Sequence, residues 1–184
     1  MAEQATKRWQ ETLYDLLREA GVSIFCYVPD AGHKYLIEKS VSDPEVLSVP
    51  LTTEQEGVAL AAGAHLGGAK AVLLMQSSGA GNCINMLSLI QNGRFPFLTI
   101  VSMRGDFGES NPWQMPMGQA VEPTLSAMGV KCMRVERPEE LATVVNAALS
   151  MSFQGEIPVA VILSQRLLGA KKFPTVPGVQ GAAA

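Results

Sequence analysis

Cysteine, aromatic side chains and charge are all scarce in this chain of 184 residues. The three cysteines, Cys26, Cys83 and Cys132, are odd in number, widely spaced and form no CxxC pair. This pattern argues against a disulfide framework and against a zinc site. We expect three buried thiols in a reducing cytosol, and therefore a cytoplasmic protein.

Clusters of positive charge and long apolar runs are also lacking. Charged residues make up 17% of the chain, the formal net charge is −3, and no basic stripe typical of nucleic-acid binding occurs. Residues 1–10 lack the apolar core of a secretory signal. The longest apolar stretches, such as 95–103, are about half the length of a membrane span. Neither nucleic acid nor a membrane is expected as a partner.

Apolar residues, by contrast, make up 47% of the chain, enough for one domain with a sizeable core. Their patterns predict strands and helices that alternate along the sequence. The predicted strands are 22–28, 45–51, 69–76, 95–103, 130–135 and 157–163. The predicted helices are 6–21, 34–40, 53–66, 81–93, 119–128 and 138–151, and 104–118 reads as a loop because it contains many helix-breaking residues.

Continuous apolar strands that alternate with helices predict a three-layer α/β/α fold with a mostly parallel, doubly wound sheet of about six strands. Ligands of such folds meet the loops beyond the carboxyl ends of the strands. These loops are 29–34, 50–57, 76–82 and 103–118. The domain is expected to span 1–170, and 171–184 is expected to be an extension or a disordered tail.

Two carboxylates, Glu54 and Glu56, stand at the head of an otherwise almost uncharged helix. Thr53 and Glu56 have the spacing of a capping box. Thr52 and Gln55 show the same pattern one residue earlier, so both registers stay open. In either register Glu54 is not the capping partner, and it lies about 200° around the helix from Glu56.

The helix that begins near Glu54 is apolar on all sides, so we expect it to be buried on more than one side, between the sheet and another surface. Glu54 would then enter a poorly hydrated place without a neighbour of opposite charge. A carboxylic acid in such a place can give or take a proton, as an acid–base catalyst must. The alternative is that Glu54 only favours the helix dipole and points to water.

Residues 77–81 read as a glycine-rich turn between a strand and a helix. Free backbone N–H groups at such a turn suit an anion or the polar edge of a ligand. The dinucleotide fingerprint fails, because Ile84 stands where its third glycine belongs, and no Walker lysine is present. Close packing of the backbone against a neighbouring element explains the glycines equally well.

The segments "VPDAGHKYL", "TTEQEGVALAAGAHLGG", "MQSSGAGNCINML" and "NPWQMPMG" occur in an order and spacing that resemble the pyrimidine-binding domain of thiamine diphosphate-dependent enzymes. The strongest element is Glu54 followed nine residues later by the glycine of "AAG". The resemblance covers about residues 8–170. Within that group the chain is most similar to the alpha subunits of sulfopyruvate decarboxylases and to the amino-terminal part of phosphonopyruvate decarboxylases.

This resemblance implies a role for each of several residues. Glu54 would bond a ring nitrogen of the aminopyrimidine of thiamine diphosphate and activate the cofactor by proton exchange. The activated cofactor would then accept the electrons released when a 2-oxo acid loses carbon dioxide. The resemblance places further contacts with the cofactor at Ser78, Gly79, Asn82 and Gln114.

Three residues are candidates for contact with the substrate. Asp30 follows the first strand, and its alternative role is that of a turn-forming residue after proline. His33 is either a substrate contact or a surface histidine, and Arg104 meets either an anionic substrate or an acidic side chain at the rim. The resemblance implies a 2-oxo acid with a second anionic group, 3-sulfopyruvate first and 3-phosphonopyruvate next.

One motif of the family is missing from this chain. Family enzymes hold the diphosphate through Mg²⁺ with a GDG motif and a later Asn in a second domain, and no GDG occurs here. The resemblance therefore implies no metal ligand on this chain, a separate subunit that binds diphosphate and Mg²⁺, and contacts between copies. Alternatives are a related thiamine-dependent decarboxylase or carboligase, a non-catalytic assembly or regulatory domain, and a flavodoxin-like nucleotide binder.

Overall fold

The computed structural model describes residues 8–169, so the predicted extension at 171–184 lies outside the described residues. Six parallel strands form one sheet in the order β2-β1-β3-β4-β6-β5. They are β1 (Val22–Tyr27), β2 (Leu47–Pro50), β3 (Lys70–Gln76), β4 (Leu98–Ser102), β5 (Lys131–Val135) and β6 (Val159–Leu163). The prediction of a parallel sheet of about six strands is confirmed.

Helices cover both faces of the sheet. They are α1 (Trp9–Glu19), α2 (Lys34–Ser42), α3 (Glu54–Leu66), α4 (Ser77–Cys83), α5 (Leu87–Gly93), α6 (Met115–Ala127), α7 (Pro138–Phe153) and α8 (Gln165–Leu168). Helices α1, α2 and α7 contribute to one core, and α3 to α6 contribute to the other. The predicted three-layer arrangement is therefore confirmed. No helix within the described range is both long enough and apolar enough to span a membrane.

The central strands are mostly apolar because each of them faces two cores. In β3, Val72 and Leu74 pack in the core of α1, α2 and α7, whereas Leu73 and Met75 pack in the core of α3 to α6. All four side chains are fully buried. Alternation of this kind follows from the two-residue period of a strand, and burial of both faces explains the continuous apolar runs in the sequence.

The strand order places a topological switch point between β1 and β3. The chain passes from β1 outward to β2, and α3 then carries it back to β3 on the other side of β1. Connections therefore leave the carboxyl ends of these neighbouring strands in opposite directions and open a crevice between them. Asp30 follows β1, Glu54 begins α3, and Ser77 follows β3, so all three lie at this edge.

Two of the predicted boundaries are wrong. Residues 77–81 do not form a turn, because β3 leads directly into α4, and the helix predicted at 81–93 is divided into α4 and α5. The loop predicted at 104–118 is too long, because α6 already begins at Met115. Pro116 lies in the first turn of α6, where a missing backbone N–H costs no helical hydrogen bond.

The start of α3 separates the two glutamates as expected. Thr53 is the residue before the first helical turn, and the Glu56 carboxylate accepts hydrogen bonds from the backbone nitrogens of Thr52 at 2.8 Å and Thr53 at 3.5 Å. The capping role of Glu56, in the register set by Thr53, is confirmed.

Helix α3 packs against the sheet with one face only. Glu54, Val58 and Ala61 are buried on that face, whereas Gly63 and Leu66 on the opposite face are exposed, Leu66 to 76%. The expectation that α3 is buried on more than one side is therefore not met within this chain. This exposed face carries Ala59, Gly63 and Leu66 beside the polar Gln55 and Glu56.

We expect Glu56→Ala to lower the free energy of unfolding by about 0.5–1 kcal/mol, because the backbone N–H groups of Thr52 and Thr53, directly before α3, lose their acceptor. Urea denaturation followed by circular dichroism measures the change. Gln55→Ala, at the exposed neighbouring position, is the matched control and should have a smaller effect. Equal losses in both variants would show that the carboxylate does not stabilise the helix start.

Candidate active site

The carboxyl edge of the sheet brings the predicted site residues into three groups. Glu54 lies with Gly79 and Asn82. Ser78 and Gln114 line one groove, and Asp30 and Arg104 line a separate cavity. His33 is buried in the protein interior.

The carboxylate of Glu54 is fixed by helix α4. Its side chain is buried, with the residue only 8% exposed, and the Asn82 amide donates a hydrogen bond to Oε2 at 2.8 Å. A Cβ atom on Gly79 would lie 2.4 Å from Oε1, so only glycine leaves room for the carboxylate here. The alternative that Glu54 points to water is wrong. Its hydrogen-bond partner is a neutral amide, which leaves the charge of the carboxylate without a paired cation at this contact.

The thiols of Cys83 and Cys26 stay protonated and unreactive at neutral pH. Burial raises the pKa of the Cys83 thiol to about 12, and the charge of Glu54 acts in the same direction. Burial likewise raises the pKa of Cys26 to about 12. Both side chains are buried and free, whereas Cys132 is free but half-buried, which differs from the expectation of three buried thiols. No group of three or more potential metal-ligating His, Cys, Asp or Glu residues occurs between residues 8 and 169.

A groove of about 680 Å³ lies between α4 and the start of α6, and we call it the Trp113 groove. Its lining residues are Ser78, Asn111, Pro112, Trp113, Gln114, Pro116 and Met117. The Trp113 ring is 84% exposed. A Cβ atom on Gly81 would lie 2.9 Å from the Met117 sulfur, so glycine allows α4 to approach α6 closely. The groove therefore offers an exposed, largely apolar surface next to the helix that holds Glu54.

Asp30 is held by three donors. Its Oδ2 accepts from the Ser102 hydroxyl at 2.6 Å and the Gly32 backbone nitrogen at 2.9 Å, and its Oδ1 accepts from the Gln76 amide at 3.3 Å. Burial alone would raise the pKa of Asp30, but these hydrogen bonds and the nearby His33 ring together outweigh it and lower the pKa, so the carboxylate is ionised at neutral pH. The turn-forming alternative is confirmed, because Asp30 caps the short 3-10 helix Ala31–His33.

Asp30 also lines a cavity of about 190 Å³, which we call the Asp30 cavity. Arg104 and Ser102 line it as well, together with Trp9 from α1 and Gly169 at the end of the described chain. The structure therefore brings two of the three predicted substrate residues, Asp30 and Arg104, to one concave surface.

Arg104 is engaged by Glu109 through two hydrogen bonds, one of them 2.8 Å long. The two side chains are 14% and 2% exposed, so the ion pair is buried rather than at the rim. The alternative of an acidic partner for Arg104 is confirmed. The Arg104 guanidinium lowers the pKa of Glu109 to about 2, against the opposing effect of burial.

No protein-family model matches the chain. Individual relatives do match, over most of their length. The chain is 35% identical over 151 residues to sulfopyruvate decarboxylase subunit alpha of Methanocaldococcus jannaschii, which covers 82% of this chain and 89% of that protein. The same subunit of Methanococcus maripaludis is 36% identical over 154 residues, with 83% and 92% covered. The chain belongs to the family of sulfopyruvate decarboxylase alpha subunits. The resemblance inferred from the four motifs is confirmed.

Other members of this family and its neighbours are longer proteins. Sulfopyruvate decarboxylase of Methanosarcina acetivorans is 28% identical over 165 residues, which are 89% of this chain but 42% of that protein. The phosphonopyruvate decarboxylase of Streptomyces viridochromogenes is 32% identical over 148 residues, 79% of this chain and 37% of that protein.

Solved structures show the same fold. The 2-oxoglutarate:ferredoxin oxidoreductase from Magnetococcus marinus superposes with a TM-score of 0.72 over 88% of this chain and 29% of that chain, at 15% identity. A thiamin diphosphate-dependent enzyme from Mycobacterium smegmatis gives 0.68 over 86% and 30%, at 18% identity. At these identities the likeness is one of fold.

In this member of the sulfopyruvate decarboxylase alpha-subunit family, the side chain of His33 is fully buried. Its Nε2 lies 3.1 Å from the carbonyl oxygen of Met75, and its Nδ1 has no hydrogen-bond partner. Burial lowers the pKa of the ring, which is therefore neutral at neutral pH. The alternative of a surface histidine is wrong. A ring without exposed surface offers a substrate nothing to touch in this conformation, so the predicted substrate contact lacks support.

Gln165, which no sequence motif indicated, lies at the start of α8 and is 1% exposed. Its Oε1 accepts from the backbone nitrogens of Asp106 at 2.9 Å and Phe107 at 3.0 Å, and its Nε2 donates to Glu109 at 3.0 Å. Gln165 thus fixes the loop that carries the partner of Arg104. The available signal was Ser164, a helix-capping residue directly after a strand.

We expect Gly79→Ala to push the Glu54 carboxylate away from Asn82 and to destabilise the fold by about 1–3 kcal/mol, because the added methyl overlaps the carboxylate. Urea denaturation measures the loss, and NMR of the Asn82 side-chain amide reports the broken contact. Gly63→Ala is the matched control: no atom beyond its own helix backbone lies within 4 Å of the added Cβ. An unmoved Asn82 amide signal in Gly79→Ala would contradict the close packing.

We expect Glu109→Gln to destabilise the fold by about 1–3 kcal/mol near neutral pH, because Arg104 then loses a charged, hydrogen-bonded partner. The folded-state pKa of about 2 lies below the usual 4.5, so ionised Glu109 stabilises the fold above pH 4.5, and this effect fades as the pH falls toward 2. The difference in melting temperature between wild type and variant should therefore shrink over that range.

Glu38→Gln is the control for this titration, because the pair of Glu38 with Lys34 is exposed and its oxygen lies 3.7 Å from the lysine nitrogen. Such a surface pair contributes about 0–1 kcal/mol. A constant difference between wild type and Glu109→Gln from pH 7 to pH 2 would contradict the assigned ion pair.

Proposed function

We propose that this chain is the alpha subunit of a thiamine diphosphate-dependent 2-oxo acid decarboxylase, and that Glu54 is its catalytic acid–base residue. The observation that carries the proposal is the buried Glu54 carboxylate, which has a neutral amide as its hydrogen-bond partner and glycine beneath it. Membership of the sulfopyruvate decarboxylase alpha-subunit family supports it. A non-catalytic assembly domain has no need of a buried carboxylate at this place, whose desolvation is costly.

The residues present fit the aminopyrimidine of the cofactor. A carboxylate without a cation at its hydrogen-bonded oxygen can share a proton with a basic ring nitrogen, whereas a tight ion pair would hold it permanently ionised. Asn82 holds Oε2 and so fixes the direction of the carboxylate. When bound, thiamine diphosphate supplies an acceptor for the electron pair released as carbon dioxide leaves the substrate.

The other candidate cofactor contacts lie on α4 and the Trp113 groove. Ser78 and Gln114 line the groove and present polar groups on an otherwise apolar surface. Gly79 lets the Glu54 carboxylate approach α4. We therefore propose Ser78, Gly79 and Gln114 as cofactor contacts, with Asn82 acting through Glu54 as well.

The substrate proposed first is 3-sulfopyruvate, which would give sulfoacetaldehyde and carbon dioxide. Its support is the name of the alpha-subunit relatives. A second candidate is 3-phosphonopyruvate, supported by the phosphonopyruvate decarboxylase of Streptomyces viridochromogenes. Asp30 and Arg104 are the proposed substrate contacts of this chain, because both line the Asp30 cavity.

A second subunit is part of the proposal. The relatives are named as alpha subunits, and the longer Methanosarcina acetivorans protein carries more chain than this one matches. We propose a separate cytoplasmic subunit that binds the diphosphate and Mg²⁺ through a GDG motif and a later Asn. The exposed apolar face of α3, with Ala59, Gly63 and Leu66, and the Trp113 ring are the surfaces proposed to contact it or another copy of this chain.

The test is reconstitution from purified parts. We expect the chain alone to be inactive, and a mixture with the diphosphate-binding subunit, thiamine diphosphate and Mg²⁺ to release carbon dioxide from 3-sulfopyruvate. In this mixture Glu54→Gln should lower kcat by more than about 100-fold, because the amide cannot exchange the proton. Coupled aldehyde detection measures the rate.

Glu56→Gln is the matched control, because the same change at the capping residue should leave kcat within about twofold of wild type. Circular dichroism and sizing chromatography verify that both variants fold and assemble. Robust turnover by the isolated chain would contradict the need for a second subunit. Wild-type turnover by assembled Glu54→Gln would contradict the catalytic role and favour the non-catalytic alternative.

A further inference from the structure

Gln76 lies at the centre of a hydrogen-bonded chain that no motif indicated. Its Nε2 donates to Oδ1 of Asp30 at 3.3 Å, and its Oε1 accepts from the Ser78 hydroxyl at 2.8 Å. Oδ2 of the same Asp30 accepts from Ser102 at 2.6 Å. The amide of Gln76 therefore has a defined orientation, because one end faces an ionised acceptor and the other faces a hydroxyl donor.

The sheet fixes the positions of these side chains. Gln76 is the last residue of β3 and Ser102 is the last residue of β4, and the two are partners in the parallel register. Asp30 follows β1, the other neighbour of β3. The carboxylate that follows β1 thus receives donors from the ends of the next two strands in the sheet, β3 and β4. A Cβ atom on Gly32 would lie 2.7 Å from that of Ser102, so the loop that carries Asp30 sits directly on β4.

The hydrogen-bonded chain connects two concave surfaces. Asp30 and Ser102 line the Asp30 cavity, and Ser78 lines the Trp113 groove. Gln76 lines neither of them and is half-buried between its two partners. Its contacts therefore determine how the polar group of one surface is oriented relative to that of the other.

We propose that Gln76 is a positioning residue that fixes the Asp30 carboxylate and the Ser78 hydroxyl relative to each other. It thereby determines how the substrate is positioned relative to the cofactor. The proposal rests on the proposed function, because substrate contact by Asp30 and cofactor contact by Ser78 are parts of it. Gln76 itself needs no contact with either molecule. Its effect on the reaction is through geometry, and small displacements of a reacting group are known to cost large factors in rate.

The pKa of Asp30 depends on the charged groups around its carboxylate as well as on its hydrogen-bond donors. His33 lies nearby, but burial lowers the pKa of its ring, so it is neutral near pH 7. The Arg104 guanidinium is paired with Glu109. With these groups unchanged, a substitution at Gln76 alters the pKa of Asp30 only through the lost or replaced donor.

The first experiment follows the Asp30 carboxyl carbon by NMR in the full chain as a function of pH. In Gln76→Met the pKa of Asp30 should rise by about half a pH unit or more, because one donor to the ionised form is lost. Gln76→Glu places a second carboxylate beside Asp30, so the pKa should rise further, as the two groups then share a proton. Ser102→Ala, which removes the shortest donor, is the positive control. Gln154→Met, at the exposed residue directly after α7, should leave the pKa unchanged.

The second experiment uses the enzyme assembled with its partner subunit. Gln76→Met should lower kcat/KM by about 10- to 100-fold while the complex still assembles and Gln154→Met stays at the wild-type value. An Asp30 pKa in Gln76→Met equal to wild type, with a shift in Ser102→Ala, would overturn the proposed contact. Wild-type kcat/KM in assembled Gln76→Met would overturn the positioning role. Absence of turnover in the assembled wild-type enzyme would instead contradict the proposed function, and the titration alone would then decide the contact.

Discussion

A buried carboxylate that has no paired cation among residues 8–169 constrains the whole edge of this sheet. Desolvating the Glu54 side chain is costly, and the chain offsets that cost with one amide, from Asn82, and with close packing on Gly79. Both partners belong to α4, which has to start directly at the end of β3 to reach them. The crossover from β2 through α3 brings Glu54 to the same place. The site therefore depends on the doubly wound topology and on the absence of a loop after β3.

Much of the fold was predictable because its signals are local. Apolar runs, their flanking glycines and prolines, and the helical periodicity specify most strands and helices without knowledge of their neighbours. The glycine-rich segment after β3 gave the wrong prediction, a turn where α4 begins. Glycine is typical of turns, but Gly79 and Gly81 are needed for close contacts of α4 with Glu54 and Met117, which are distant in sequence. The early start of α6 was hidden by Pro116, which a helix accepts in its first turn.

The catalytic candidate Glu54 was predictable because the neighbouring Glu56 has a purely structural role. A capping box accounts for Glu56, and Glu54 then required another reason. The polar contacts around Asp30 carry no such signal, because Ser102 lies 72 positions later and meets it only through the sheet. Gln165 is hidden for the same reason, since its three partners are about 60 positions away. Burial of His33 likewise depends on tertiary packing rather than on its sequence neighbourhood.

The contact between Glu54 and Gly79 couples the sizes of two side chains. An acid with one methylene fewer at position 54 would retreat from α4, and the space so vacated would accept a methyl group at position 79. Either replacement alone leaves a void or a collision, whereas the two together conserve volume. The two positions therefore constrain each other, and the reach of the Glu54 carboxylate excludes every side chain larger than hydrogen at position 79.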